Sequence, residues 1–156
     1  MGPFLKLYTM HVENNMKVVI DASVFLKFVF IAEENLEQAL KLRDAISQRK
    51  IDAFIPTFCL YECASTIARG RLPHLSHVDT FGLYKALRLI GCTELELDDF
   101  LVMDAYKLLK GVPKASFYDA IYHALALYLG ATYITADKKY YDLMRHKGHI
   151  KLLSDY

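Results

Sequence analysis

The sequence predicts an α/β fold in which helices cover both faces of a five-stranded, mainly parallel sheet. Short apolar runs rich in β-branched residues recur along the chain, and segments with helical spacing of apolar residues separate them. Strands that alternate with helices are usually joined by right-handed crossovers, which place helices on both sides of a parallel sheet. The chain has 156 residues, 54% of them hydrophobic, which suffices for one well-buried core. We therefore expect a single three-layer domain over residues 16–156.

Residues 1–15 precede this pattern. Met16 is a natural start for the first strand, so we treat residues 1–15 as an N-terminal extension, either native or a remnant of cloning. They do not resemble a cleavable signal peptide. The three cysteines lack the spacing of a zinc module, and we expect Cys59 and Cys63 to be small buried side chains. These features favour a reduced, cytoplasmic setting.

Five segments are predicted to be strands. The first, Lys17–Asp21, is a β-branched block that ends in a carboxylate. The segment Cys92–Leu97 alternates polar and apolar residues, which is typical of a half-exposed edge strand. The remaining predicted strands are Asp52–Thr57, Thr132–Asp137 and Ile150–Asp155.

Helical spacing fills the intervals between the predicted strands. Ser23 is expected to cap a helix directly after the first strand, and Gly130 is a good C-terminal residue for the most apolar helix. Residues 70–79 contain Gly, Pro, His and Ser and predict a loop. The predicted helices are residues 33–49, 58–69, 77–90, 100–111, 114–130 and 138–148.

Four acidic residues lie where a strand ends or a helix begins: Asp21, Glu62, Asp119 and Asp137. Ligands of open α/β sheets bind outside the carboxyl ends of the strands, usually beside the first strand. Two carboxylates about 4 Å apart repel by roughly 4 kcal/mol at an effective dielectric constant near 20, so a cluster needs a cation or must take up protons. Mg²⁺ and Mn²⁺ prefer oxygen ligands. The four acids therefore predict a metal site suited to phosphodiester chemistry.

Each acid also has an ordinary structural explanation. Asp21 can begin the loop into the first helix, and Asp137 can cap the helix that starts at Lys138. Asp119 lies three residues after Ser116, which matches a capping box. Glu62 is harder to explain in this way, because apolar neighbours surround it and a half-buried carboxylate favours a cation. A packed core position is the simpler role for His123, and solvent exposure or helix capping is the simpler role for Glu94, Glu96, Asp98 and Asp99.

The chain carries 19 basic and 18 acidic residues, so its net charge gives no global sign of a nucleic-acid binder. Contacts with a nucleic acid must therefore be local. The candidate cations are Arg69, Arg71, Lys138, Lys139 and Arg145. A solvated surface is the alternative role for these cations. Tyr140 is a candidate for base stacking, and the abundance of tyrosine and phenylalanine suggests a protein interface.

Four segments together resemble the PIN-domain family of nucleases, and in particular its toxin branch, the VapC-type ribonucleases of toxin and antitoxin pairs. These segments are VVIDASVFLK, YECAS, SFYDAIYHALA and YITADKKYY, in the order of the family and across residues 16–155. The resemblance matches Asp21, Glu62, Asp119 and Asp137 to the acidic quartet of the family. It also matches Ser23 and Thr135 to hydroxyl residues of the family motif. We expect these hydroxyls either to steady the carboxylates or touch a phosphate oxygen, or to serve only in helix capping and turn formation.

The resemblance implies one or two Mg²⁺ or Mn²⁺ ions, single-stranded RNA as substrate, a homodimer and an antitoxin that blocks the site. Two alternatives remain open from the sequence: a binding module that keeps the fold without catalysis, and a nuclease of RNA processing or repair without an antitoxin. A phosphoacceptor receiver domain fits poorly, because it needs paired acids after the first strand and a lysine after the last.

Overall fold

The computed structural model describes residues 15–29, 34–69 and 77–156. Within these residues, five strands form one sheet in the order β3-β2-β1-β4-β5, and every neighbouring pair is parallel. The strands are β1 Met16–Ile20, β2 Ile51–Pro56, β3 Thr93–Leu95, β4 Thr132–Thr135 and β5 Ile150–Leu152. The predicted α/β class and the edge position of the third strand are confirmed.

Seven α-helices are described between and after these strands. Helix α6 is the most apolar, packs against β1 and β4, and ends at Gly130, which has the left-handed backbone conformation that favours glycine. The helices are α1 Ala22–Lys27, α2 Leu36–Ser47, α3 Phe58–Ala68, α4 His77–Arg88, α5 Asp99–Leu109, α6 Phe117–Leu129 and α7 Lys138–Met144.

The central strand β1 is buried on both faces. Val18, Val19 and Ile20 are all fully inaccessible to solvent, although consecutive side chains of a strand point to opposite faces. Both faces of the sheet are therefore covered, as expected for a parallel sheet between two helical layers.

The strand order reverses at β1, which lies between β2 and β4. Ile20 pairs with Ile134 at the ends of β1 and β4, so the next residues, Asp21 and Thr135, are neighbours at the carboxyl edge of the sheet. This edge beside the first strand is where ligands of open α/β sheets bind.

Several predicted boundaries are wrong by a few residues. Asp21, not Ser23, is the N-cap of α1, because its carboxylate accepts the hydrogen bond from the Val24 amide and Ser23 lies within the helix. The last predicted strand ends at Leu152, and a 3₁₀ turn follows over Leu153–Asp155. The helix predicted for residues 138–148 likewise ends at Met144 and continues as a short 3₁₀ turn.

Some predictions lie outside the described residues. These are the extension up to residue 14, the loop over residues 70–76 with Arg71, and the predicted start of the second helix at Glu33. The three cysteines are free thiols, and Cys59 and Cys63 are buried as predicted. No helix among the described residues is long and apolar enough to cross a membrane.

Candidate active site

Asp21 lies at the centre of the carboxyl edge and is 4% exposed. Its Oδ1 atom accepts hydrogen bonds from the Ser23 hydroxyl at 2.6 Å and the Val24 amide at 2.9 Å. Its Oδ2 atom accepts from the Thr135 hydroxyl at 2.5 Å and the Tyr133 hydroxyl at 3.0 Å. Neutral donors thus surround this carboxylate, and burial raises its pKa although the four hydrogen bonds act in the opposite direction.

Asp119 lies in the first turn of α6, where the N-cap Ser116 accepts a long hydrogen bond of 3.4 Å from the Asp119 amide. The predicted contact between Ser116 and Asp119 is therefore present. The Oδ1 atom of Asp119 also lies 3.3 Å from the Tyr133 hydroxyl, which donates to Asp21 on its other side. One tyrosine hydroxyl therefore stands between the carboxylates of Asp21 and Asp119.

The pKa of Asp119 is raised to about 7. Burial is the largest cause, followed by repulsion from the carboxylates of Asp21 and Asp137. The three aspartates are therefore close enough to act on one another electrostatically.

Glu62 lies on α3 and is half-buried. Its Oε2 atom accepts a hydrogen bond of 2.6 Å from the Tyr122 hydroxyl of α6. Burial raises the pKa of Glu62, the Tyr122 hydrogen bond lowers it, and the charge of Asp21 raises it further. Glu62 is therefore close enough to Asp21 for the two carboxylates to repel each other.

Asp137 is exposed and caps α7, because its Oδ1 atom accepts a hydrogen bond of 2.9 Å from the Tyr140 amide. Its own amide donates to the Thr135 hydroxyl at 3.0 Å. Thr135 thus donates to Asp21 and accepts from Asp137, which connects the ends of β1 and β4. The alternative that Asp137 caps this helix is therefore confirmed.

Among the described residues, no basic side chain forms an ion pair with any of these four carboxylates. The ion pairs among residues 15–29, 34–69 and 77–156 all involve other acids, namely Glu37, Asp44, Glu94, Asp104 and Asp142. Among the described residues, no three His, Cys, Asp or Glu side chains are placed close enough together to hold a metal ion. The oxygen donors nevertheless suit Mg²⁺ or Mn²⁺, which prefer carboxylates and retain several waters. A cation would also relieve the repulsion that raises the pKa of Asp119.

The candidate cations differ in their surroundings. Arg69 is exposed at the end of α3, and Lys139 is exposed on α7. Lys138 forms an exposed ion pair of 2.6 Å with Asp142, one turn along the same helix. The suggestion that Tyr140 stacks on a base is wrong, because its side chain is buried and its hydroxyl lies 3.3 Å from Nδ1 of His123. His123 itself is fully buried, which confirms its predicted core position.

The sequence reasoning overlooked Tyr122 and Tyr133, whose hydroxyls contact the acids directly. Both are buried and were counted only among the many aromatic residues. A signal was available, because Tyr133 precedes Thr135 by two positions on the same strand and therefore shares its face. Tyr122 follows Asp119 by three positions on the same helix, which places the two side chains on one face.

Known proteins with similar folds support the resemblance noted in the sequence. PAE2754 from Pyrobaculum aerophilum superposes with a TM-score of 0.62 at 17% identity, over 90% of this chain and 93% of that one. VapC20 from Mycobacterium tuberculosis, a toxin that cleaves the sarcin-ricin loop, superposes with a TM-score of 0.61 at 17% identity. The superposition covers 80% of this chain and 93% of that one. A structure of VapBC2 from Rickettsia felis bound to a DNA fragment from their promoter superposes with a TM-score of 0.63 at 11% identity. The superposition covers 88% of this chain and 97% of that one.

At these levels of identity the superpositions establish the fold. None of the curated protein sequences matches the chain significantly. The sequence profile of the PIN domain matches residues 18–145, which include all four acids at the carboxyl edge of the sheet. The chain therefore belongs to the PIN domain family, as its motifs predicted.

Proposed function

We propose that this protein is a metal-dependent ribonuclease that hydrolyses single-stranded RNA and acts as the toxin of a toxin–antitoxin pair. The observation that carries the proposal is the set of carboxylates at the carboxyl edge, which repel one another and have no basic partner among the described residues. Membership of the PIN domain family supports nuclease chemistry at this edge. The similarity in fold to VapC20, a sarcin-ricin loop cleaving toxin, supports RNA as the substrate.

In this proposal Asp21, Asp119 and Asp137 hold Mg²⁺ or Mn²⁺ directly or through water, and Glu62 holds a second ion or orients a water. A bound divalent ion lowers the pKa of a coordinated water and stabilises negative charge on the phosphate. The carboxylates supply the negative charge that retains the ion. Because water is the nucleophile of the hydrolysis, no nucleophilic side chain is required. The buried environment of Asp21 excludes bulk water and strengthens these electrostatic interactions.

Ser23 and Thr135 position the Asp21 carboxylate in this account. Ser23 donates to Oδ1 and Thr135 to Oδ2, so each carboxylate oxygen has a fixed hydroxyl donor. Hydrogen bonds of this kind orient the carboxylates of metal sites and typically affect metal affinity strongly.

In this proposal exposed cations contact the RNA phosphates. Arg69 follows the helix that carries Glu62, and Lys138 and Lys139 directly follow Asp137. Arg71, close to Arg69 in the sequence, is a further candidate outside the described residues. Because these cations are few, the proposal predicts binding that weakens with salt but with a modest slope.

The partners in this proposal are a second copy of the chain and an antitoxin. Large apolar side chains on α5 and α6 are exposed and favour a protein interface: Phe100, Met103, Tyr106, Tyr118 and Tyr128. The VapBC2 complex from Rickettsia felis, which shares the fold, supports an antitoxin partner. The free thiols favour the cytoplasm as the site of action.

Cleavage of labelled RNA and DNA oligonucleotides tests the proposal. We expect the purified protein to cut single-stranded RNA with Mn²⁺ or Mg²⁺ present, to lose activity in EDTA and to regain it when the ion is restored. Asp119→Asn removes a carboxylate of the proposed site. Asp142→Asn is the matched control, because Asp142 is exposed in an ion pair with Lys138.

We expect Asp119→Asn to abolish cleavage and Asp142→Asn to retain it. Cleavage that persists in EDTA, or that survives Asp119→Asn, would contradict a metal-dependent site at this edge. Cleavage of DNA but not RNA would contradict the proposed substrate.

A further inference from the structure

We propose that Tyr133 and Tyr122 are positioning residues that aim the carboxylates of Asp21, Asp119 and Glu62 at a divalent ion. The inference rests on the proposed function and concerns residues outside the acidic quartet. Both tyrosine rings are buried, yet both hydroxyls reach carboxylates of the candidate site.

The Tyr133 hydroxyl lies between two carboxylates from different elements. It donates to Oδ2 of Asp21, which follows β1, and to Oδ1 of Asp119, on α6, at 3.0 and 3.3 Å. A hydroxyl carries a single proton, so the two carboxylates share this donor. Sharing one buried donor fixes the spacing of two groups that would otherwise repel.

The Tyr122 hydroxyl makes the corresponding contact with Glu62, at 2.6 Å from Oε2. Tyr122 is on α6 and Glu62 on α3, so this hydrogen bond joins two separate helices. The Tyr122 ring also packs edge-on against Phe58, at the start of α3, with a centroid distance of 5.2 Å. The position of Glu62 is therefore set by contacts to α6.

The two tyrosine rings are stacked on each other. Their centroids lie 5.9 Å apart and their planes differ by 5°. Tyr133 also packs against the rings of His123 and Tyr140, which restricts its movement. Because both rings are held by packing, their hydroxyls are fixed points, and the stacked pair links Glu62 to the two aspartates.

These hydrogen bonds use only one oxygen of two of the carboxylates. Oδ2 of Asp119 and Oε1 of Glu62 accept no hydrogen bond from the described residues. Each oxygen of Asp21 already accepts two hydrogen bonds. Tyr133 leaves Oδ2 of Asp119 available to a cation, and Tyr122 leaves Oε1 of Glu62 available. This is the arrangement expected when neighbouring donors orient metal ligands.

The alternative is that the hydroxyls only satisfy buried polar groups, as most buried tyrosines do. Substitution by phenylalanine distinguishes the two roles, because it removes the hydroxyl and preserves the ring packing. A solely structural hydroxyl affects the melting temperature and leaves the metal affinity of the folded protein unchanged.

Isothermal titration of the full chain with Mn²⁺ is the appropriate measurement, with melting temperatures recorded in parallel. The variants are Tyr133→Phe and Tyr122→Phe. Tyr140→Phe is the matched control, because Tyr140 is also buried in this cluster but its hydroxyl contacts His123 rather than a carboxylate.

We expect Tyr133→Phe and Tyr122→Phe to weaken Mn²⁺ binding by about 10- to 100-fold, the usual effect of losing a residue that orients a metal ligand. Tyr140→Phe should bind as the wild type does.

Unchanged affinity in Tyr133→Phe and Tyr122→Phe would overturn the inference and assign the hydroxyls to stability alone. Tighter binding in Tyr133→Phe would also overturn it, because the hydroxyl would then compete with the ion. An equal loss in Tyr140→Phe would show a general effect of the aromatic cluster and contradict a specific role. A wild type that binds no Mn²⁺ would instead refute the proposed function itself.

Discussion

The Thr135 hydroxyl donates a hydrogen bond of 2.5 Å to Oδ2 of Asp21, across the carboxyl ends of the neighbouring strands β4 and β1. Both side chains are buried, and the same hydroxyl accepts from the Asp137 amide. Through Thr135, the carboxylate of Asp21 is therefore connected to the backbone of Asp137. This explains why a hydroxyl residue two positions before Asp137 is useful.

Replacing Thr135 by valine should destabilise the protein. The substitution keeps the shape of the side chain, removes a donor to buried Asp21, and leaves the Asp137 amide without its acceptor. Leaving such groups unsatisfied costs about 1–3 kcal/mol. Denaturant unfolding in EDTA measures the loss, and Thr135→Ser, which keeps the hydroxyl, should recover most of it. If Thr135→Val were as stable as the wild type, the hydrogen bond would have no structural role.

In the metal-free protein, the titration of Asp119 should lower the stability as the pH rises from about 4 to about 7. The pKa of Asp119 is about 7 in the folded protein, against about 3.9 for an aspartate in an unfolded chain. Between these values the folded state keeps a proton that the unfolded state has lost, so its stability falls with rising pH and levels off above about pH 7.

Free energies of unfolding measured in EDTA test this dependence. Near pH 5 the folded protein keeps the proton on Asp119, and near pH 8 it has lost this proton. Asp119→Asn should reduce the difference, because it removes the group that titrates. Mn²⁺ should stabilise the wild type more at the higher pH. A pH dependence in Asp119→Asn equal to that of the wild type would contradict the assigned pKa.

Asp98 provides a test of the distinction between capping acids and site acids. Its carboxylate accepts a hydrogen bond of 2.8 Å from the Leu101 amide at the start of α5, which confirms its predicted capping role. Asp98→Ala should cost about 1 kcal/mol of stability, the usual value of an N-cap. The specific activity of the folded variant should be unchanged. A loss of cleavage comparable with that of Asp119→Asn would place Asp98 in the site.

Lys139 should contribute to RNA binding in a way that salt reveals. It is exposed beside Asp137 and forms none of the ion pairs found among the described residues. Lys139→Ala should weaken binding to all RNA sequences and reduce the slope of log affinity against log salt by about 0.7, the value for one phosphate contact on a single strand. Fluorescence anisotropy over a salt series measures both quantities.

Lys41→Ala is the matched control for that experiment. Lys41 is an exposed lysine paired with Glu37 on α2, a helix that carries none of the four acids. Equal effects of the two substitutions would show general attraction of RNA to positive charge and would remove Lys139 from the binding surface.

The sequence was most informative about elements with a strong local pattern. The apolar block before Asp21 and the helical spacing around Asp119 identified β1 and α6, because burial of a whole strand or helix face imposes a periodic pattern. The alternation of strands and helices then predicted a mainly parallel sheet with helices on both faces, whereas the order of the strands came only from the structure. Boundaries were less accurate, since the end of a helix depends on individual caps. For example, the carboxylate of Asp21 caps helix α1, a role that was expected for Ser23.

The contacts within the site could not be read from the sequence. The hydrogen bonds from Tyr133 to Asp21 and Asp119 depend on the register of β4 against β1 and on the packing of α6. Whether Tyr140 is exposed depends on how α7 packs, and its seven-residue helix gave no clear face. Local patterns therefore identified the acids, whereas tertiary packing determines which side chains orient them.

Diffraction from crystals soaked in Mn²⁺ shows, through the anomalous signal of the ion, whether the carboxylates of Asp21 and Asp119 hold a metal. Asp21→Asn is a suitable control, because the Thr135 and Tyr133 hydroxyls can rotate to accept hydrogen bonds from the new amide. We expect an anomalous peak within about 2.5 Å of oxygens of Asp21 and Asp119 in the wild type, and we expect Asp21→Asn to remove this peak. A wild-type crystal with no peak at these carboxylates, or a peak unaffected by the substitution, would contradict the proposed metal site.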